Sequence, residues 1–527
     1  MSTTTAGTEA ATARSTGRGG PWATLVAVAF GVIMVALDGT IVAIANPAIG
    51  KSLHASLSDL QWITNGYLLA LAVFLVTAGK LGDRFGHKSM YLVGVVGFAA
   101  SSGVIGLSHS IGLIILFRVL QGVFGALLQP AALGLLREAF PREKLNIAIG
   151  IWGAAIGVST AAGPIVGGLL VEHVNWQSVF FINLPVGVLA LVLGLVVLAR
   201  NHRVDRGSRA DVPGIALLSV AMFALVFGVI KASDFGWGNW RTIGLFVGAV
   251  VVGLLFVLRE RTARDPLLPL GLFRSRSLSI GTVLMILMAF AMFGSLFFVT
   301  FYLQLVHGLS PVESGVRLLP MTAGMVLGSP IAGALIGRVG PRGPVATGMA
   351  AVAVALFGLS RLPLDASAGL TSLWFVILGL GLSVVMVGAT EVIVGNAPVQ
   401  LSGVASGLQQ AAMQVGGALG TAVLGALMTA RVGGVLNGHW TDQHLPPLTP
   451  AQVDAAKSAV AGGVAPIPKG TRADIAAAIT KASNLSFLDG MHLAFTVAGV
   501  VAVVAVVLAL LIRRAHNSSG APSVPHV

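Results

Sequence analysis

Apolar runs of about 20 residues recur along this chain from Trp22 to Ile512, broken by short clusters of charged residues, Pro, Gly and Asn. A hydrocarbon layer of about 30 Å requires a helix of that length, and stretches such as Gly94–Ile105 and Val497–Ile512 carry no charge at all. The runs fall at 22–47, 58–79, 89–107, 110–135, 145–171, 178–199, 212–231, 241–258, 277–305, 313–337, 343–361, 369–394, 404–430 and 490–512. They predict an all-α integral membrane protein with fourteen spans. Composition agrees, because 55% hydrophobic and 10% charged residues among 527 leave too little polar surface to coat a soluble globule. The 68 glycines suit membrane helices, whose backbones approach closely through small residues.

The formal charge of +13 does not imply nucleic acid, since the basic residues are scattered among the loops rather than gathered in a patch. With the N-terminus placed inside, the inner loops collect Lys80, Arg84, Lys88, Arg137, Arg142 and Lys144 with many others, and the outer set is about half as large. Both termini are therefore expected in the cytoplasm. Residues 1–21 read as a disordered polar lead, because the apolar stretch that follows is too long for a signal peptide and contains Asp38. The absence of cysteine removes disulfides and thiol chemistry. No paired catalytic carboxylates, metal cluster or nucleophile with its base stands out, so an enzyme is the weakest reading and no metal or cofactor is expected. Gly50-Lys51-Ser52 mimics the end of a phosphate loop, but Ala45 replaces the first glycine and no strand precedes it.

An internal repeat organises the chain. The loop after span two reads Gly79-Lys-Leu-Gly-Asp-Arg-Phe-Gly-His-Lys88, and the loop after span ten reads Gly333-Ala-Leu-Ile-Gly-Arg-Val-Gly-Pro-Arg342. The offset, 333 − 79 = 254 residues, covers eight spans, where two fused six-helix halves would give six. Two helices are thus expected as an insertion between pseudo-symmetric halves, an arrangement used by alternating-access carriers. The expected division is a cytoplasmic lead at 1–21, a six-helix half at 22–199, a linker with the two inserted helices at 200–276, a second half at 277–512 and a cytoplasmic tail at 513–527. Within the second half, 431–489 is expected as a small extracytoplasmic hairpin of two short amphipathic stretches, around Ala451 to Val460 and from Thr471, where Asp474 completes a capping box.

Five stretches carry a family resemblance: Leu37-Asp38-Gly-Thr40-Ile-Val42 in span one; Gly79 to Lys88; Arg118-Val-Leu-Gln121-Gly122 with Gly125 in span four; Gly163-Pro164-Ile-Val-Gly167-Gly168 in span five; and Phe180-Phe-Ile-Asn183-Leu-Pro185 opening span six. Together they make nearly the whole chain resemble the major facilitator superfamily, in its fourteen-helix drug:proton antiporter branch. The resemblance implies a multi-pass carrier of the cytoplasmic membrane, monomeric, that exports hydrophobic drugs or antibiotics in exchange for protons, driven by the proton gradient without a cofactor. Whether the cargo is cationic stays open. Uptake or facilitated passage of a metabolite by the same fold is the alternative, and a receptor or lipid-handling scaffold without a transport cycle is a third.

Asp38 and Arg118 are ionisable residues at membrane depth, costly enough there to be functional candidates. Counted from their helix ends at 1.5 Å per residue, they differ in height by roughly 3 Å, so an ion pair is feasible. It reads either as a structural lock between spans one and four or as a protonation switch, and the resemblance favours the switch. Glu391 is a second candidate for proton coupling. A conformational latch is expected from Gly79, Asp83, Arg84, Gly86, Lys88 and Arg338, with Arg84 and Lys88 reaching carboxylates or helix C-termini of the other half; Gly337 in the second copy replaces Asp83. Ser159, Gly163 and Gly167 recur every four residues and, with Pro164 and Gly168, form a small-residue seam that resembles the antiporter signature. The aromatic stripe of Phe290, Phe293, Phe297 and Phe301, followed by Tyr302 and Gln304, reads as a drug-lining face or as ordinary packing. Trp62, Tyr67, Gln121, Asn183, Gln410 and Gln414 are further substrate-binding candidates. Span thirteen offers Gln409, Gln410 and Gln414 where relatives that expel divalent cations tend to carry acids, which argues against dicationic cargo.

Overall fold

The computed structural model describes residues 20–198, 211–263, 266–268, 270–397, 402–468 and 470–512, apart from some side chains in the second, fifth, seventh and thirteenth long helices. Its first six long helices are α1 (Gly20–Leu53), α2 (Leu57–Phe85), α3 (His87–Leu107), α4 (Ile111–Ala139), α5 (Arg142–His173) and α6 (Ser178–Val197). Two more follow, α7 (Val212–Phe235) and α8 (Trp240–Thr262). The last six are α9 (Arg276–Phe301, prolonged by a π turn at Tyr302–Val306), α10 (Pro311–Val339), α11 (Arg342–Leu359), α12 (Ala368–Gly395), α13 (Ser402–Asp442) and α14 (Ala473–Leu510).

Among the described residues, thirteen of these helices contain stretches long and apolar enough to cross a membrane. The remaining one, α2, has 29 residues but buries Gln61, Asn65 and Thr77 in the protein. These polar side chains are turned toward other helices instead of lipid.

The repeat read from the sequence is visible in the packing. In the first half α1 lies along α5, α2 along α4, and α3 along α4 and α6; in the second, eight helices later, α9 lies along α13, α10 along α12, and α11 along α12 and α14. The halves meet where α2 packs on α13 and where α5 packs on α10. Helices α7 and α8 form an antiparallel pair, and α7 rests on both α2 and α13, covering that junction from the side.

Gly86 ends α2 at φ 90° and Gly340 ends α10 at φ 80°, conformations that favour glycine, so the repeated loops share a backbone as well as residues.

The segment 431–489 is largely helical, with a short helix where the stretch Ala451 to Val460 is expected and longer flanking helices than the apolar runs give. α13 continues to Asp442, a short helix at Pro450–Ala461 carries a capping box of Thr449 and Gln452, and α14 begins at Ala473. The capping box expected at Thr471 and Asp474 is not formed: the Thr471 hydroxyl donates to Pro468 O, and Asp474 pairs with Arg472 at 2.8 Å. A helix has no reason to stop where its apolar run stops, because polar residues continue it into water.

Candidate functional site

Helices α1, α2, α3, α4 and α6 converge on one buried polar cluster. Asp38 is 0% exposed and Arg118 1% exposed, each among apolar neighbours, and such charges persist inside a protein only when paired and hydrogen-bonded. Arg118 Nη1 lies 2.5 Å from Asp38 Oδ2 and donates also to Gln121 Oε1 at 2.6 Å. Its Nε donates to the Ile63 carbonyl at 3.0 Å, and the guanidinium carbon stands 4.1 Å over the Tyr67 ring.

The other carboxylate oxygen is held by neutral donors. Gln121 Nε2 donates to Asp38 Oδ1 at 3.0 Å and Asn183 Nδ2 at 3.2 Å, while both amides reach Ser102 Oγ at 2.6 and 3.1 Å. The cluster therefore offers a protonatable carboxylate shielded from solvent, held to a cation through a bond whose strength depends on the carboxylate's charge. Gln121 and Asn183 belong to this network rather than to a cavity wall.

A narrow pocket opens on the other side of Arg118, between the halves. Tyr67 and Thr64 of α2, Phe293 and Phe297 of α9, and Thr421 of α13 line it together with Arg118. Phe301 packs behind Phe297 with ring centroids 5.2 Å apart. The remaining members of the stripe do other work: Tyr302 donates to Pro363 O at 3.2 Å, and Gln304 Nε2 donates to Ile44 O at 3.1 Å, tying α9's end to α1. Trp62 turns toward Phe223 and Phe227 of α7, with centroids at 5.4 and 6.1 Å, and so meets the inserted pair. Gln410 joins the halves by donating to Gln129 Oε1 at 2.6 Å, Gln414 is buried, and Glu391 is exposed near the end of α12.

Sequence reasoning missed a second polar seam. Gln61 Nε2 donates to the Thr421 carbonyl at 2.7 Å, and the Thr421 hydroxyl reaches Asn65 Oδ1, linking α2 to α13. The signal was there, since Gln61 and Asn65 are four apart and share a helix face. Ser102 gave no such signal, because serine is common in membrane helices.

The two ends of the bundle differ. At the far end, where α1 finishes, α5 and α10 touch backbone to backbone: a Cβ on Gly168 would stand 2.5 Å from Pro311 O, and one on Gly315 2.5 Å from Pro164 O. Glu172 adds to this by accepting from Val312 N at 3.0 Å. Gly163 and Gly167 face α1 instead, against Thr40, Ile41 and Ile44, and Thr40 Oγ1 donates to Thr160 O at 3.1 Å. Ser159 bonds only within its own helix among the contacts described, at 2.7 Å to Ala155 O. Toward the near end, Gly157, Gly333 and Gly337 have open space where a Cβ would stand.

Lys88 donates to the Leu195 and Leu198 carbonyls at 3.2 and 2.8 Å. It thus caps the end of α6 in its own half, where the sequence predicts a reach to the other half. Gly79 sits beside Pro130 of α4 and Arg338 is exposed; the side chains of Asp83 and Arg84 lie outside the described residues. Among the described residues no three His, Asp or Glu side chains come together to hold a metal.

The family model described as Major Facilitator Superfamily matches residues 28–421. A tetracenomycin C resistance and export protein of Streptomyces glaucescens is 60% identical over 507 residues, covering 96% of this chain and 94% of the relative. The multidrug efflux pump LfrA of Mycolicibacterium smegmatis is 33% identical, with 94% of each chain covered. Among solved structures, a bacterial homologue of the human lysosomal transporter Spinster, crystallised inward-facing and unoccupied, shares the fold at a TM-score of 0.61 and 18% identity, covering 94% of this chain and 98% of that one.

Proposed function

The chain belongs to the major facilitator superfamily, and from that membership we propose that it is a proton-coupled exporter of hydrophobic antibiotics in the cytoplasmic membrane, with Asp38 as the proton carrier. The observation that carries this reading is the buried Asp38–Arg118 pair, 2.5 Å apart beside the pocket between the halves. With Asp38 ionised, the pair holds α1 to α4. A proton on Asp38 cancels the charge, weakens the tie to Arg118 and shifts the balance between states open to opposite sides. The close contact of α5 with α10 at the far end supports a cycle that includes a state closed on that side.

In this reading the near end is cytoplasmic, with both termini there, as the excess of basic residues in the near-end loops suggests. The working unit is one chain with bound lipid, and the proton gradient supplies the energy. Gly79, Gly86, Arg338 and their neighbours act as hinges and contacts of the two repeated loops. Glu391 is exposed near the end of α12 and lies outside the Asp38 network, so any part it takes in coupling is separate from that pair.

Tetracenomycin C is the first cargo to test, because a relative covering almost the whole chain carries its name. Expression in an efflux-deficient host should raise the tolerated drug concentration, and inside-out vesicles should accumulate the drug when acidified inside. Vesicles that accumulate no drug under that gradient would refute the proposal.

A further inference from the structure

We propose that the groove between α11 and α12 at the far end binds an anionic phospholipid, its phosphate on Arg361 and one acyl chain running down between the helices. The site lies on the outer surface of the second half, away from the Asp38 cluster, and does not depend on the export reading.

The groove has a volume of about 360 Å³ and is lined by Val354, Phe357 and Gly358 of α11, Arg361 just beyond it, and Leu370 and Trp374 of α12. That volume falls within the roughly 300–1,000 Å³ of small-molecule sites. Glycines set two of its walls. A Cβ on Gly358 would stand 2.3 Å from the Trp374 ring, so the indole lies directly against the α11 backbone; one on Gly499 of α14 would stand 2.9 Å from the Phe357 ring, which is thus backed by a third helix. Val354, Leu370 and the nearby Leu373 are exposed, so the open side of the groove is apolar and belongs to the lipid-facing surface.

Polarity is graded along the groove. Arg361 follows the end of α11 at Leu359, where the chain leaves the bilayer, while Val354 lies seven residues earlier and so roughly 10 Å deeper. A cation at headgroup level above an apolar channel, with tryptophan where the two meet, matches the build of a phospholipid. A soluble anion would leave the channel empty. Arg361 is exposed and has no carboxylate partner among the described residues; Asp365, the acid of the same loop, acts electrostatically on Tyr302 and His307. A guanidinium without a counter-charge over hydrocarbon favours a lipid whose phosphate it can hold through two N–H groups and whose net charge is negative.

The test titrates purified, delipidated full-length protein in detergent with three probes: phosphatidylglycerol, phosphatidylcholine with the same acyl chains, and glycerol 1-phosphate, which has the phosphate without chains. Native mass spectrometry reads the bound molecules. The first phosphatidylglycerol should bind about fivefold tighter than the first phosphatidylcholine, the weight of one arginine at an anionic headgroup, and glycerol 1-phosphate should neither bind nor compete. Arg361→Gln should bring phosphatidylglycerol down to the level of phosphatidylcholine, and Val354→Trp, which fills the groove from an exposed position, should weaken both lipids. Equal binding of the two lipids by the wild-type protein would overturn the assignment without recourse to any variant, as would glycerol 1-phosphate binding as tightly as the lipid. A preference that survives Arg361→Gln, or lipid binding that Val354→Trp leaves unchanged, would place the lipid elsewhere and overturn it too. A dimer in the same spectra that Val354→Trp dissociates would give the groove to a second copy of the chain instead.

Discussion

Gly86 and Gly340 stand 340 − 86 = 254 residues apart and bend the backbone alike, at φ 90° and 80°, each N–H returning to the carbonyl four residues earlier, Gly82 and Ile336, at 2.8 Å. The repeated loops thus turn α2 into α3 and α10 into α11 by one device.

That device makes a stability prediction. Gly340 has open space where a Cβ would go, so Gly340→Ala tests backbone strain alone and should cost about 1–3 kcal/mol. Gly343→Ala, three residues later in helix and equally open, should be neutral or stabilising by up to about 1 kcal/mol. Thermal unfolding of the two purified variants provides the comparison.

The two members of the buried ion pair should not be equivalent. Arg118→Leu leaves the Asp38 carboxylate buried without its cation and should destabilise by about 3–5 kcal/mol. Asp38→Asn should cost less, because Arg118 keeps the Ile63 carbonyl, Gln121 Oε1 and the Tyr67 ring. Equal losses in unfolding midpoint would show that the remaining partners contribute nothing.

Much of the fold was legible because lipid imposes one rule on every span: an apolar helix of sufficient length. The Asp38–Arg118 pairing was legible for the same reason, since ionised groups at matching depth stand out in an apolar chain. Helix ends in water were not, as α13 and α14 show by running past their apolar runs. Neither was the direction of a side chain around its helix. Trp62 faces α7, Phe297 faces the pocket and Tyr302 faces Pro363, distinctions that depend on which neighbour the fold supplies.

The glycines at the far end should set the conformational balance. Gly315→Ala places a Cβ 2.5 Å from Pro164 O, which forces α10 away from α5 and disfavours the far-closed state. The chain has no cysteine, so a single Gly333→Cys toward the near end, where a side chain has open space, reports the state through maleimide labelling. Labelling should slow severalfold when Gly315→Ala is added; an unchanged rate would mean that this contact does not control closure.

The most direct test of proton coupling is drug transport by Asp38→Asn in inside-out vesicles, measured with and without an imposed pH gradient. The variant should fold, bind tetracenomycin C and exchange it down its own gradient, yet gain nothing from the pH gradient. Accumulation driven by the pH gradient at the wild-type level would contradict Asp38 as the proton carrier.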